Sequence, residues 1–195
     1  MPGAIDKAIK EFSRLPGIGN KSAQRLVYFL LRGARAHADQ LAAAINSLTA
    51  DVHPCKVCGM LTELETCEIC QDTRRDDGMI CVVEESGDVP VVEASGRFRG
   101  RYHVLGGLIS PINQVFPEQL NVAPLKTRAS GVATEVILAL SASSDGEYTS
   151  RYLAELLKPL GITVTSLARG IPSGAALEFA DKVTLGYSLD GRVEL

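Results

Sequence analysis

Residues Cys55 to Cys70 read C-K-V-C-G-M-L-T-E-L-E-T-C-E-I-C, two Cys-x-x-Cys pairs separated by the eight residues Gly59 to Thr66. Each pair makes a turn, through Lys56-Val57 and through Glu68-Ile69, that brings two sulfurs to one side of a site. Zn²⁺ takes four thiolates in a tetrahedron, and the intervening loop is long enough to fold back and present the second pair. The competing reading is a set of disulfides or idle thiols. No secretory signal precedes the cysteines and a reducing cytosol disfavours disulfides, so the spacing predicts one Zn²⁺ held by Cys55, Cys58, Cys67 and Cys70. Four protein ligands close such a site, which makes the metal structural rather than catalytic. Outward from this knuckle the chain divides into a helical N-terminal part and an α/β C-terminal part.

The remaining cysteine, Cys81, lies in the apolar run M-I-C-V-V and reads as a buried, inert strand residue. A chain of 195 residues suits one or two domains with a proper core. Hydrophobic residues at 46% and charged residues at 22% are ordinary for a globular protein. No apolar run approaches the roughly 20 residues that span a bilayer. The opening M-P-G-A-I-D-K-A-I-K-E-F carries charges throughout, so a cytoplasmic location is expected.

The net charge of −3 argues against a surface coated in basic residues. Residues 1–50, however, hold seven Lys/Arg (Lys7, Lys10, Arg14, Lys21, Arg25, Arg32, Arg35) against three acids (Asp6, Glu11, Asp39), a local +4. That excess permits a polyanion site and equally suits a solvated helix face.

Ile5, Ala8, Ile9 and Phe12 follow the spacing of an amphipathic helix over Ile5 to Arg14. L-P-G-I-G-N-K-S then forces a tight turn at Pro16, Gly17 and Gly19. A second helix is predicted from Lys21 to about Arg32, with Leu26, Val27, Phe29, Leu30 and Leu31 as its apolar side. A third runs from about Ala36 to Ala50 with Leu41, Ala44, Ile45 and Leu48 on one face. Helix, P-G-I-G, helix is the helix-hairpin-helix pattern, in which backbone N–H groups of the turn and the positive end of the next helix hold a phosphate without reading a base. Lys21 and Arg25, four apart, reach neighbouring phosphates from one face. A plain αα-hairpin is the alternative. G-I-G-N-K-S is not a nucleotide-binding loop, because Asn20 precedes the lysine and a helix, not a strand, precedes the turn.

After the knuckle, T-R-R-D-D-G reads as a polar linker. Short strands are predicted at Met79 to Val83, around Tyr102 to Leu105, at Glu135 to Leu140 and at Gly161 to Thr165, with a helix over Asp145 to Leu160. Strands alternating with helices indicate a parallel sheet with crossover helices, whose ligands gather beyond the strand C-termini. Glu84 follows the first strand, and Asp145 and Glu147 of S-A-S-S-D-G-E follow the third. Three carboxylates brought together there suit Mg²⁺; acids capping a helix and wetting a loop explain the same residues.

V-V-E-E on a first strand and D-G-E after a later one resemble the Toprim domain of topoisomerases, primases and some nucleases, where such acids support phosphoryl transfer. A helix-hairpin-helix, a four-cysteine module and a Toprim domain in this order resemble the RecR family of bacterial recombination proteins. The motifs that carry the likeness are L-P-G-I-G-N-K-S-A-Q-R-L, the cysteine spacing, I-C-V-V-E-E-S-G-D-V, R-Y-H-V-L-G-G-L-I-S-P, E-V-I-L-A-L, L-A-R-G-I-P-S-G and V-T-L-G-Y-S-L-D-G-R.

The resemblance implies a multidomain α/β chain: a helix-hairpin-helix domain over 1–52, a zinc finger over 53–76, a Toprim domain with a mostly parallel sheet over 77–168, and a C-terminal strand/helix oligomerisation segment over 169–195. It implies a non-catalytic recombination mediator in DNA repair. Such a protein assembles as a tetramer (a dimer being the alternative), grips single- and double-stranded DNA, and helps load RecA with RecO and RecF. By the same likeness Lys21 and Arg25 contact DNA, the four cysteines hold zinc, and Glu84, Asp145 and Glu147 form a docking face, notably for RecO. The chain departs from the family at S-D-G-E-Y-T-S, where Asp145 is one carbon shorter than the usual acid and Tyr148 replaces a small residue. V-T-L-G-Y-S-L occupies the place of a Walker B-like segment and, without a Walker A partner, reads as a strand and interface element.

Arg97, Arg99 and Arg101 alternate in G-R-F-R-G-R-Y, which on an extended segment puts all three on one side, facing DNA or a partner; ordinary surface charge is the alternative. Two other functions fit the same residues. One is a Mg²⁺-dependent Toprim nuclease or primase-like enzyme; the other is a zinc-stabilised interaction module with no role at DNA.

Overall fold

The computed structural model describes residues 3–33 and 35–194; the side chain of Arg35, counted above in the basic segment, lies outside the described residues. Contacts divide the chain into two compact units, residues 1–53 and 54–195.

The first unit is helical: α1 (Gly3–Phe12), α2 (Asn20–Arg32) and α3 (Arg35–Asp51). The turn after α1 works as its glycines require. Gly17 has φ +77°, a left-handed conformation that a side chain would strain. Ile18 N then closes on Leu15 O at 3.1 Å. The buried stripe of α2 is narrower than expected. Ala23 and Val27 are buried and Leu30 half-buried, whereas Leu26, Phe29 and Leu31 are exposed. Leu41, Ile45 and Leu48 of α3 are exposed as well.

The two-residue β1 (His53–Pro54) stands at the boundary, and β2 (Leu61–Thr62) and the short α4 (Glu68–Gln71) of the second unit follow it around the cysteine loop. Then follow β3 (Asp76–Val83), α5 (Asp88–Ala94), β4 (Gly100–Val104), α6 (Val122–Ala129), β5 (Glu135–Ala139), α7 (Ser144–Leu157), β6 (Thr163–Ser166) and α8 (Lys182–Asp190). The main sheet has the order β4-β3-β5-β6 and is wholly parallel. Its first strand, β3, steps one way to β4, and the chain then crosses to β5 on the other side. The C-terminal ends of β3 and β5 are therefore the switch point at which parallel sheets open a crevice.

The apolar run M-I-C-V-V is continuous because β3 is covered on both faces. Ile80 and Val82 join Val136, Leu138, Leu125, Leu153 and Leu157 in one core. Their neighbours Cys81 and Val83 join Val89, Tyr102 and Val104 in the other. Cys81 is 2% exposed and burial pushes its thiol up to about 12, so it is an inert core residue as expected.

Two expectations are corrected. T-R-R-D-D-G is not merely a linker, since Asp76 and Asp77 already belong to β3 and Arg75 is an anchor. Its guanidinium donates to Glu93 Oε1 at 3.0 Å and to Gly100 O at 3.2 Å, and Tyr102 Oη donates to the same carboxylate at 2.6 Å. V-T-L-G-Y-S-L is a helix, not a strand. Asp181 caps it by accepting from Val183 N and Thr184 N, both at 2.9 Å, and such a cap outweighs the β-branched composition of the first turn.

Candidate functional site

The cysteine loop folds by local rules. Gly59, at φ +79°, lets the first turn close with its N–H on Cys55 O at 2.9 Å. Cys67 is the N-cap of α4, its Sγ accepting from Cys70 N at 3.4 Å, and Cys67 N donates to Cys55 Sγ at 3.3 Å. The sulfurs of Cys55, Cys58, Cys67 and Cys70 all lie within 4.8 Å of one another, and Cys58 and Cys67 are 3.6 Å apart. Sulfurs about 2.3 Å from a tetrahedral zinc stand roughly 3.8 Å apart, so the four fit the ion.

Their surroundings act on the thiols unequally. A hydrogen bond with Cys70, and then burial, push the Cys58 thiol far up; burial pushes Cys67 up to about 11. Burial acts on Cys55 too, but N–H groups of Cys67, Cys58 and Val57 outweigh it and bring that thiol down to about 6. Four thiolates in one pocket repel each other unless a divalent cation neutralises them. The knuckle is seated on β4, where Val104 N donates to Cys58 O at 2.7 Å and Arg101 donates to Ile69 O at 2.5 Å.

In the helical unit, Lys21 and Arg25 are exposed one turn apart on α2. Arg14 pairs with Glu11 at 2.7 Å, whereas neither Lys21 nor Arg25 has an ion-pair partner among the described residues. The N-cap, Gly19, is extended and supplies no side-chain cap to the first N–H groups of α2.

The three acids do not assemble. Among the described residues the four cysteines are the only group of three or more His, Cys, Asp and Glu residues placed to hold an ion. Glu84, just beyond β3, has its carboxyl pushed up by burial, which a bond from Ser141 partly offsets. Asp145 and Glu147 lie in the first turn of α7, where Ser143 Oγ caps Gly146 N at 3.1 Å. Gly146 is there for close approach rather than for a turn, because a Cβ on it would stand 2.0 Å from Ser141 O. Glu147 is turned away to the C-terminal segment. Its Oε1 accepts from Arg169 and, at 2.9 Å, from Tyr187 Oη, and these donors hold the carboxyl below the usual carboxylate range. Ser143, not an acid, caps α7, and Glu147 is engaged by Arg169 and Tyr187; no Mg²⁺ set is formed among the described residues.

The arginine alternation breaks as well. Arg97 and Arg99 are exposed ahead of β4, but Arg101 is buried within it and bonded to Asp77 at 2.6 Å. Arg75, Glu93, Arg169 and Tyr187 escaped the sequence reading. Arg169 and Tyr187 stand inside quoted motifs, L-A-R-G and L-G-Y-S, but no periodicity pairs either with Glu147.

Comparison with known proteins follows the same order of parts. Family models match for the RecR helix-hairpin-helix over 5–49, the RecR four-cysteine zinc finger domain over 52–72, the Toprim domain over 78–168 and the RecR C-terminal region over 170–193. The chain is 51% identical over 191 residues to recombination protein RecR of Paenarthrobacter aurescens, covering 97% of this chain and 96% of the relative. It is 47% identical to that of Deinococcus radiodurans, covering 98% of this chain and 86% of the relative. It is also 47% identical over 194 residues to that of Bifidobacterium animalis subsp. lactis, covering 99% of this chain and 97% of the relative. With a shared sequence of this extent, a four-thiol centre and a parallel Toprim sheet in the family's order, the chain belongs to the RecR family of recombination proteins.

Proposed function

We propose that, within the recombination-repair role of its family, this chain is a non-catalytic DNA-holding clamp that docks RecO and RecF and helps load RecA onto gapped or single-stranded DNA. The observation that carries the DNA half is the exposed pair Lys21 and Arg25 beside the uncapped end of α2. Such a site grips sugar-phosphate and reads no base, so affinity is sequence-tolerant and falls steeply with salt. Glu84, Asp145 and Glu147 serve as docking groups and not as metal ligands, a reading supported by the engagement of Glu147 with Arg169 and Tyr187. Self-association through the termini, as a tetramer or a dimer, is supported by the apolar residues that α3 and α8 leave exposed, among them Ile45, Leu48, Val183 and Leu189.

The test is Lys21→Ala with Arg25→Ala in a salt series. Removing two phosphate contacts should weaken binding about tenfold at low salt and flatten the slope of log K against log salt by about 2. Unchanged retention of DNA would sink the hairpin assignment. The match to a Toprim domain keeps the enzyme alternative under test, and a Mg²⁺-dependent nicking assay decides it. Cleavage by the purified protein that Glu84→Gln abolishes would replace the clamp with a nuclease.

A further inference from the structure

Glu147 is where the C-terminal segment closes on the Toprim sheet. Arg169, three residues beyond β6, and Tyr187, on α8, donate to the same oxygen, Oε1. The Arg169 guanidinium lies over the Tyr187 ring, 5.0 Å from its centroid. Ser188 Oγ accepts from Ile171 N at 3.1 Å and ties α8 to the stretch that carries Arg169. Little apolar packing supports this closure: α8 buries none of its residues, and Leu177, Phe179, Val183 and Leu189 are exposed. Within a single chain the segment is thus held mainly by polar contacts, which another charged group can replace; its exposed apolar residues are those assigned above to self-association.

We propose that Glu147 is a catch shared between the protein's own C-terminal segment and an incoming partner. A partner segment that presents an arginine to the Toprim acidic face takes Glu147 from Arg169 and releases residues 167–191. This rests on the docking role proposed for the acids. Two features make the exchange feasible. The ion pair is partly solvated, with side chains 30% and 43% exposed, and pairs of that kind are weak. Both bonds also fall on Oε1, so a partner guanidinium that engages both oxygens replaces a one-oxygen contact with a two-oxygen one. Occupancy of the docking face and closure of the C-terminal segment then exclude each other, and each biases the other by the same factor.

Hydrogen exchange on the full chain tests the catch without any partner. Glu147→Gln and Arg169→Ala should speed exchange at Ile171 and across Thr184 to Ser188 by roughly three- to tenfold while β3 and β5 stay unchanged. Tyr187→Phe, which removes one hydroxyl, should give a smaller change of the same kind and guards against a variant that merely misfolds. Unchanged exchange in all three overturns the catch and leaves the docking reading intact. The second arm uses a fluorescein-labelled hexa-arginine peptide as probe. It should bind Arg169→Ala several-fold tighter than the wild type, and Glu147→Gln should cancel that gain. Equal affinity for wild type and Arg169→Ala overturns the competition. A freed segment together with no peptide binding to any form overturns the docking reading itself.

Discussion

The four cysteines and the three acids pose the same structural question with opposite outcomes. Cys55, Cys58, Cys67 and Cys70 converge within 4.8 Å, whereas Glu84, Asp145 and Glu147 form no ion-holding group among the described residues. The thiols lie on one short loop whose turns are closed by their own backbone, as in Gly59 N to Cys55 O and Cys70 N to Cys67 Sγ. The acids come from the end of one strand and the start of one helix, and Glu147 is taken by Arg169 and Tyr187. Ligand sets within one turn-loop-turn are decided by spacing. Sets drawn from distant elements are decided by whatever else packs around them.

The strongest way to break this comparison is Cys58→Ser. If the loop is held by metal, the variant should lose bound zinc and several kcal/mol of stability, seen in metal content and denaturant unfolding, because binding energy is folding energy in such a loop. Its docking on Val104 should fail with it. Full stability without metal would put the cysteines on the same footing as the acids.

Gly146→Ala probes the other side. A Cβ 2.0 Å from Ser141 O meets backbone, with no flexible end to yield, so an overpacking cost of about 2–3 kcal/mol is expected, with zinc retained. A denaturant midpoint equal to wild type would mean that the first turn of α7 is not seated as described.

The smallest effects separate the acids by sign. Glu147 is held low by its donors, so the stability it contributes is present above the ordinary carboxylate range and lost as pH falls through its depressed value. Glu84 is pushed up by burial, so its ionisation costs stability as pH rises through the carboxylate range. Melting curves at neutral and acid pH should show Glu147→Gln slightly less stable than wild type only at neutral pH. Glu84→Gln should be neutral or slightly more stable there. Responses of the same sign would indicate a shared site after all.

Helices and strands with strong patterns were legible: α1, α2, α3, β3, β5 and α7 lie where spacing put them, within a few residues. The helix at V-T-L-G-Y-S-L was misread because the segment occupies the place of a Walker B-like strand, while the deciding group, the Asp181 cap, stands just before it. The arginine alternation failed for a similar reason. Arg97 and Arg99 are outside β4, and Arg101 inside it is claimed by Asp77 and the Ile69 carbonyl. On α2, Leu26, Phe29 and Leu31 look apolar enough for a core, yet only Ala23 and Val27 are buried.

By itself the amino-acid sequence determined the zinc centre, the glycine turn that bares the start of α2, and the order of parts along the chain. Each depends on residues close enough in the chain for backbone geometry to fix them. Only the tertiary structure decided that Glu147 meets Arg169 and Tyr187, that Arg75 and Tyr102 share Glu93, and that the Toprim acids stay apart. Those partners are brought together by strand crossover and helix packing. A carboxylate takes whichever donor the fold delivers, and nothing in its neighbours along the chain names that donor in advance.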